Sequence, residues 1–232
     1  MPMILQDKLV YANYVWPPIK EYSIDVKVKD WLDDYAVLRR KLHKTARRCV
    51  DVGAHIGIYA YEYSKRFDKV DSFEPIPSIY KLLDQNTNTI SNINCYNYAV
   101  SNNNKDVLIY ENPRNSESNV VVSTQTEALI QSRWGTGKRW EGQTPITVPA
   151  ITIDSFGWDN VDLIKVDTEG YIKEVLEGMV DTLTNNSPIV QLEVRDTGIP
   201  ATKADINPLL TSLGYKVYSS WKQDDFYVKV DK

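Results

Sequence analysis

Arg48-Cys49-Val50-Asp51-Val52-Gly53-Ala54-His55-Ile56-Gly57 decides the reading of this chain. An apolar run of Cys49, Val50 and Val52 closes on Asp51, and Gly53 and Gly57 follow at once. Beyond them Tyr59, Ala60 and Tyr63 recur at helical spacing. This is the pattern of a buried strand that feeds a tight turn and then a helix. Glycine in such a turn permits a positive φ and lets a ligand approach bare backbone. Two glycines are fewer than the three of the dinucleotide fingerprint, so the turn alone is unspecific. Ser72-Phe73-Glu74-Pro75 strengthens it by setting an acid at the end of a second strand, about 20 residues on, where a carboxylate accepts hydrogen bonds from ribose hydroxyls.

Working outward, strand and helix alternate. A helix is expected over roughly 57–66 and a second strand over 69–73. Pro77 suits the first turn of a helix that runs through Ile79, Leu82 and Leu83 to about Asn88. A third strand is expected from Ile93 to Val100, and another from Val107 to Tyr110. Short extended pieces, Ile146 to Val148 and Ile151 to Ile153, lead to Asp154. Val161 to Asp167 is a buried strand ending on an acid; a helix from Tyr171 to Leu183 and a strand from Ile189 to Val194 follow. A helix over 202–213 and two closing strands, Tyr215 to Ser219 and Phe226 to Val230, end the chain, the last pair reading as antiparallel. The alternation predicts an α/β fold, a parallel sheet with helices on both faces. Ligands in such sheets bind outside the carboxyl ends of the strands, an edge that Asp51, Glu74 and the stretch Asn97, Tyr98, Ala99 and Val100 would reach.

Composition narrows the class. With 232 residues, 42% hydrophobic and 25% charged, the chain has the make-up of one domain with a full core. We expect it over 47–232, after an aromatic and helical appendage at 1–46 that packs on it. A net charge of −4 argues against a broad, non-specific grip on nucleic acid. No apolar stretch approaches the roughly 20 residues of a membrane span, and the first ten residues lack the layout of a signal peptide. Cys49 and Cys95 sit in apolar strand patterns and read as reduced core residues. A cytoplasmic protein is the default expectation. Tyr11, Tyr14, Trp16 and Tyr22 surround the Pro17-Pro18 pair; they pack on the main domain or line a cleft. The helix expected over 29–46 leaves through Arg39, Arg40, Lys41, Lys44, Arg47 and Arg48, and cations suit a helix C-terminus as well as they suit an anion. His43 reads as a surface residue. Residues 111–145 form a long polar loop with Arg133, Trp134, Lys138, Arg139 and Trp140 near its end, a group able to stack on a sugar or hold an anion.

An ordered set of motifs resembles the FkbM-family methyltransferases. The run from Asp51 to Gly57 is similar to their first motif, and Phe73-Glu74-Pro75-Ile76-Pro77 to their second. Ile164-Lys165-Val166-Asp167-Thr168-Glu169-Gly170 resembles the strongest family signature, and Thr152-Ile153-Asp154 the short motif before it. Leu176-Glu177-Gly178 and the stretch from Pro188 to Glu193 follow the same pattern, so the likeness spans about 48–194. It implies a class I, Rossmann-like sandwich, with a mostly parallel seven-stranded sheet and an antiparallel C-terminal hairpin, that binds S-adenosylmethionine and moves its methyl group, usually to a hydroxyl oxygen, with S-adenosylhomocysteine as product. Carried over by position, Gly53, Ala54, His55 and Gly57 would face the methionine portion, with Asp51 under its ammonium. Glu74, beside Pro75, would hold the ribose, and Asn97, Tyr98 and Ala99 would border the adenine. The family usually has Asn where this chain has His55, whose ring nitrogens can still make a hydrogen bond.

Methyl transfer from a sulfonium needs the acceptor oxygen in line and its proton taken by a base, or its pKa lowered by a metal. Asp167 is the first candidate at the reacting centre; the alternative is that it caps the helix that follows. Glu169 is a second acid or a partner of the helix dipole. Lys165 points to the same side of its strand as Asp167, as a salt-bridge partner or a substrate contact. Asp167 and Glu193 could hold Mg²⁺ as metal-dependent O-methyltransferases do, although no further ligand stands out. The acceptor expected is a hydroxyl of a sugar, glycan or small natural product. A nicotinamide oxidoreductase would want a third glycine and a Tyr-Lys or His pair, and the motifs of adenine- and cytosine-carbon methyltransferases are absent. RNA ribose 2′-O-methylation and a non-catalytic module that binds S-adenosylmethionine remain as alternatives.

Overall fold

The computed structural model describes residues 46–112, 116, 119–122, 144–194, 203–221 and 224–230. The expected appendage, with His43 and most of its basic run, and the Trp134 and Trp140 cluster lie outside the described residues. The strands are β1 (Ala46–Val52), β2 (Phe67–Phe73), β3 (Ile93–Tyr96), β4 (Ala99–Val100), β5 (Val107–Tyr110), β6 (Val120–Val121), β7 (Ile146–Val148), β8 (Ala150–Ile151), β9 (Val161–Val166), β10 (Ile189–Glu193), β11 (Tyr215–Trp221) and β12 (Asp224–Lys229). Helices are α1 (Ile58–Ser64), α2 (Pro77–Thr87), α3 (Ile172–Glu177), α4 (Val180–Asn186) and α5 (Lys203–Ser212).

Seven strands form the main sheet in the order β11-β12-β10-β9-β1-β2-β3. The pairs from β3 to β10 are parallel, and β12 runs antiparallel to both its neighbours. The order reverses at β1, so the crevice between the ends of β1 and β9 is the natural ligand site.

Side chains alternate across the sheet with a period of two. Val50, Val52, Ile164 and Val166 join one core with Ile172, Val175, Leu176, Leu183 and Leu210 of α3 to α5. Cys49 and Leu163 face the other way, packing with Ala60 and Tyr63 of α1 and with Phe226 of β12. The same parity sends Asp51, Lys165 and Gln191 toward α1, since Asp51 and Gln191 each pair with Lys165 in register. Burying charge there requires partners. Cys49 and Cys95 are free thiols.

Inside the stretch expected as a loop, β6 pairs with β5, and Ile153 opens a short helical turn instead of ending an extended piece. Two further segments differ more from the periodicity. The strand expected from Ile93 to Val100 is cut at Tyr96, and Ala99–Val100 pairs with Ala150–Ile151 in a separate two-stranded sheet. Asn97 makes the turn: its side-chain amide donates to the carbonyls of Glu74 (2.9 Å) and Pro75 (3.0 Å). The helix expected from Tyr171 to Leu183 is two helices, broken at Gly178. A Cβ there would lie 1.9 Å from the Ser101 carbonyl oxygen. The second helix is capped from outside, because Asp154 accepts the backbone N–H of Asp181 and of Thr182 at 3.0 and 2.8 Å. That is the structural work of the Thr152-Ile153-Asp154 motif.

Candidate active site

The glycine turn and the second-strand acid form one unit. The amides of Gly53 and Ala54 both donate to the Phe73 carbonyl, at 3.0 and 2.9 Å. His55 follows at φ 50°, a left-handed conformation that costs a non-glycine residue free energy and marks functional turns. Its backbone N–H reaches one Glu74 carboxylate oxygen, and the N–H of Ile76 reaches the other, each at 3.0 Å. Glu74 is only 5% exposed. Burial pushes its pKa up to about 7 against the pull of those two N–H donors. Each oxygen keeps a further lone pair for a hydroxyl donor.

A cavity of about 420 Å³ opens between this unit and the end of β9. Its volume lies within the ~300–1,000 Å³ usual for small-molecule sites. Gly53, Ala54, His55, Glu74, Pro75, Tyr98 and Ala99 line one side, and Lys165, Asp167, Glu169 and Glu193 the other. Asp51, Gly57 and Asn97 are not in its wall. Gly57 starts α1 at φ 92°, where a Cβ would press on Leu83 and Thr87. Asn97 braces the Glu74 turn from behind.

Gly53 seals the junction of the two halves. Its φ is 82°, and a Cβ would stand 1.9 Å from the Asp167 carbonyl oxygen. Asp167 extends β1–β9 pairing by donating its N–H to the Val52 carbonyl at 3.0 Å. Helix α3 starts only at Ile172, with Tyr171 rather than Asp167 at its N-cap. Glu169, at φ 46°, joins His55 as a second non-glycine residue with left-handed backbone in the cavity wall.

Lys165 is the buried cation of this end, 3% exposed. Its ammonium donates to Asp167 Oδ2 at 3.2 Å and lies 4.5 Å from the centre of the Tyr59 ring. Asp51 Oδ1 is 3.8 Å from it, an ion pair too long for a hydrogen bond. Among the described residues neither Asp51 oxygen has a hydrogen-bond partner, and burial lifts its pKa to about 6 despite the nearby lysine. Burial alone would pull the Lys165 pKa down; Asp167, Asp51 and Asp224 outweigh it and hold the ammonium above its ordinary value. One carboxylate oxygen each from Asp167, Glu169 and Glu193 lies within 4.8 Å of the others.

Other wall residues carried no readable signal. Ser116, Asn119, Tyr59 and Tyr171 join the cavity, and Ser116 Oγ lies 2.9 Å from His55 Nε2. Asp224, from the closing hairpin, also lines it. Only its place just before the apolar Phe226 could have suggested a strand-end acid.

Residues 51–217 match the model of the methyltransferase FkbM domain. The chain belongs to the FkbM methyltransferase family. It is a class I, S-adenosylmethionine-dependent methyltransferase. The hexuronic acid methyltransferase AglP of Haloferax volcanii is 26% identical over 195 residues, covering 82% of this chain and 74% of AglP. Among solved structures, the methyltransferase FkbM of Methylobacillus flagellatus KT superposes with a TM-score of 0.51 at 16% identity. That match covers 80% of this chain, which spans 44% of that one. The magnesium protoporphyrin IX methyltransferase of Synechocystis PCC 6803, with bound S-adenosylmethionine, gives 0.53 at 8% identity, covering 99% and 92% of the two chains. Both share the fold with the FkbM domain described here.

The residues present fit S-adenosylmethionine. A buried carboxylate with spare lone pairs suits a ribose, and the side-chain-free Gly53 turn admits a ligand against the backbone. The acids at the far side suit a group that carries positive charge.

Proposed function

We propose that this FkbM protein methylates a hydroxyl oxygen of a sugar, glycan or other polyhydroxylated small molecule. The observation that carries this reading is the grouping of Asp167, Glu169 and Glu193 within 4.8 Å, across the cavity from Glu74. Carboxylates at that spacing accept hydrogen bonds from neighbouring hydroxyls, which is how a polyol is held and turned. S-adenosylmethionine supplies an electrophilic methyl group. Glu74 accepts its ribose hydroxyls, and the Gly53–His55 turn supports its methionine end. Asp167 or Glu169 orients the acceptor hydroxyl and takes its proton as the ether forms. Lys165 holds Asp167 in place from behind, through the 3.2 Å contact. The name of AglP, a hexuronic acid methyltransferase, supports a saccharide acceptor.

The acid grouping also has the oxygen donors of a Mg²⁺ site. Lys165 already brings a positive charge to Asp167, so we assign the charge balance there to the ammonium. The test is methyl transfer from labelled S-adenosylmethionine to a panel of methyl hexopyranosides and hexuronides. An ether product, stable to mild base, is expected. Label recovered only in base-labile esters, or none transferred, would overturn the assignment.

A further inference from the structure

Asp224 enters the cavity from the closing hairpin, and a buried chain of polar groups aims it. Glu193 and Asp224 are register partners across β10 and β12, so both carboxylates leave the sheet on the same face. One step back from that edge, Gln191 pairs with Lys165 and sits 1% exposed. Its side-chain amide donates to Asp224 Oδ2 at 3.0 Å. The amide oxygen accepts the hydroxyl of Tyr63, a fully buried ring on α1, at 3.2 Å. Burial holds the Tyr63 phenol well above its ordinary pKa, so it stays a donor. A hydroxyl that donates fixes the amide oxygen toward Tyr63 and the amide N–H₂ toward Asp224. The opposite orientation would set the amide oxygen against a carboxylate. Two buried groups from two other elements, Gln191 of β10 and Tyr63 of α1, therefore aim one acid of the cavity wall, at a place where packing alone would be served by an apolar residue.

We propose that Asp224 is an acceptor-contact residue, receiving a hydroxyl of a polyhydroxylated acceptor beside the one that is methylated. Gln191 is its positioning residue, and Tyr63 orients Gln191. The proposal rests on the hydroxyl-acceptor reading above and names the group that selects for a second hydroxyl. Strand spacing sets the geometry: Asp167, Glu193 and Asp224 leave the ends of β9, β10 and β12, three adjacent strands about 4.8 Å apart. A ring with several hydroxyls can bridge such a row, and a compound with a single hydroxyl cannot.

Steady-state kinetics with the most active methyl hexopyranoside of the panel test this. Asp224→Asn turns its carbonyl to Gln191 and leaves an N–H donor where the carboxylate is an acceptor. The expected result is a rise in KM for the glycoside of about ten-fold, as for loss of a hydrogen bond to a charged group, with kcat within about three-fold. Binding of S-adenosylhomocysteine is expected to stay at the wild-type value. Gln191→Met and Tyr63→Phe keep the packing and remove the relay, and each is expected to raise KM by a smaller factor. These two serve if Asp224→Asn unfolds. An unchanged KM in the folded variants overturns the proposal, as does an equal loss of S-adenosylhomocysteine affinity, which would mark a merely structural role. Wild-type protein that binds S-adenosylhomocysteine but methylates no glycoside would instead overturn the hydroxyl-acceptor reading itself.

Discussion

Gly53 and Asp167 meet backbone to backbone: a Cβ on Gly53 would lie 1.9 Å from the Asp167 carbonyl oxygen. The two strongest motifs of the chain, one at the end of β1 and one at the end of β9, are thus a single structural unit. Gly53→Ala must push them apart and also place alanine at φ 82°. Overpacking and the left-handed conformation together cost about 3 kcal/mol or more. Chemical denaturation should show that loss, and S-adenosylhomocysteine titration should show no binding in whatever remains folded.

Lys165 stabilises two carboxylates on its own face of the sheet. Lys165→Met leaves Asp51 buried without its cation, and removing one partner of a buried pair costs about 3–5 kcal/mol. Adding Asp51→Asn removes the stranded charge and should return a large part of that stability. Urea unfolding of both variants at pH 8 checks this. Equal stability of the single and double variants would contradict the pairing.

With Glu74 on the ribose, both stability and cofactor binding are expected to depend on pH. In the folded protein its pKa is about 7, above an ordinary value of 4.5. Between those values the native state binds more protons than the unfolded state, so stability falls as pH rises from 4.5 to 7. The full effect is roughly 3 kcal/mol, and Asp51, raised from 3.8 to about 6, acts in the same direction. Cofactor binding should run the opposite way. Ribose hydroxyls donate more strongly to the ionised acid, so the Kd for S-adenosylhomocysteine should tighten by about five-fold between pH 6 and 8. A flat Kd across that range would remove Glu74 from the ribose.

The parallel core was readable because its apolar runs are short, end on acids or glycine, and alternate with amphipathic stretches. The places that were not readable share one cause. Asn97 ends β3 by bonding to backbone carbonyls of another segment, and Gly178 breaks a helix because of a carbonyl in the loop after β4. Neither partner is near in sequence, so periodicity carried both elements too far. At the site, Lys165 and Asp167 were placed on one side of their strand by the period of two alone, and they are in contact. Asp224 escaped because its place in the cavity wall depends on the register of β12 with β10, which composition does not encode.

Chelation gives a direct check on charge balance at the acid grouping. With Lys165 neutralising Asp167, methyl transfer should persist after treatment with EDTA. Activity that disappears and returns on adding Mg²⁺ would instead assign Asp167, Glu169 and Glu193 to a metal.

Calorimetric titration with S-adenosylhomocysteine, on wild type and on Glu74→Ala, asks whether Glu74 holds the ribose of the cofactor. Micromolar binding to wild type is expected, with a loss of about 2 kcal/mol or more in the variant, as for hydrogen bonds to a charged group. A melting curve run alongside separates lost contacts from lost folding. No heat of binding in wild type, or equal affinity in a folded Glu74→Ala protein, would contradict that role of Glu74.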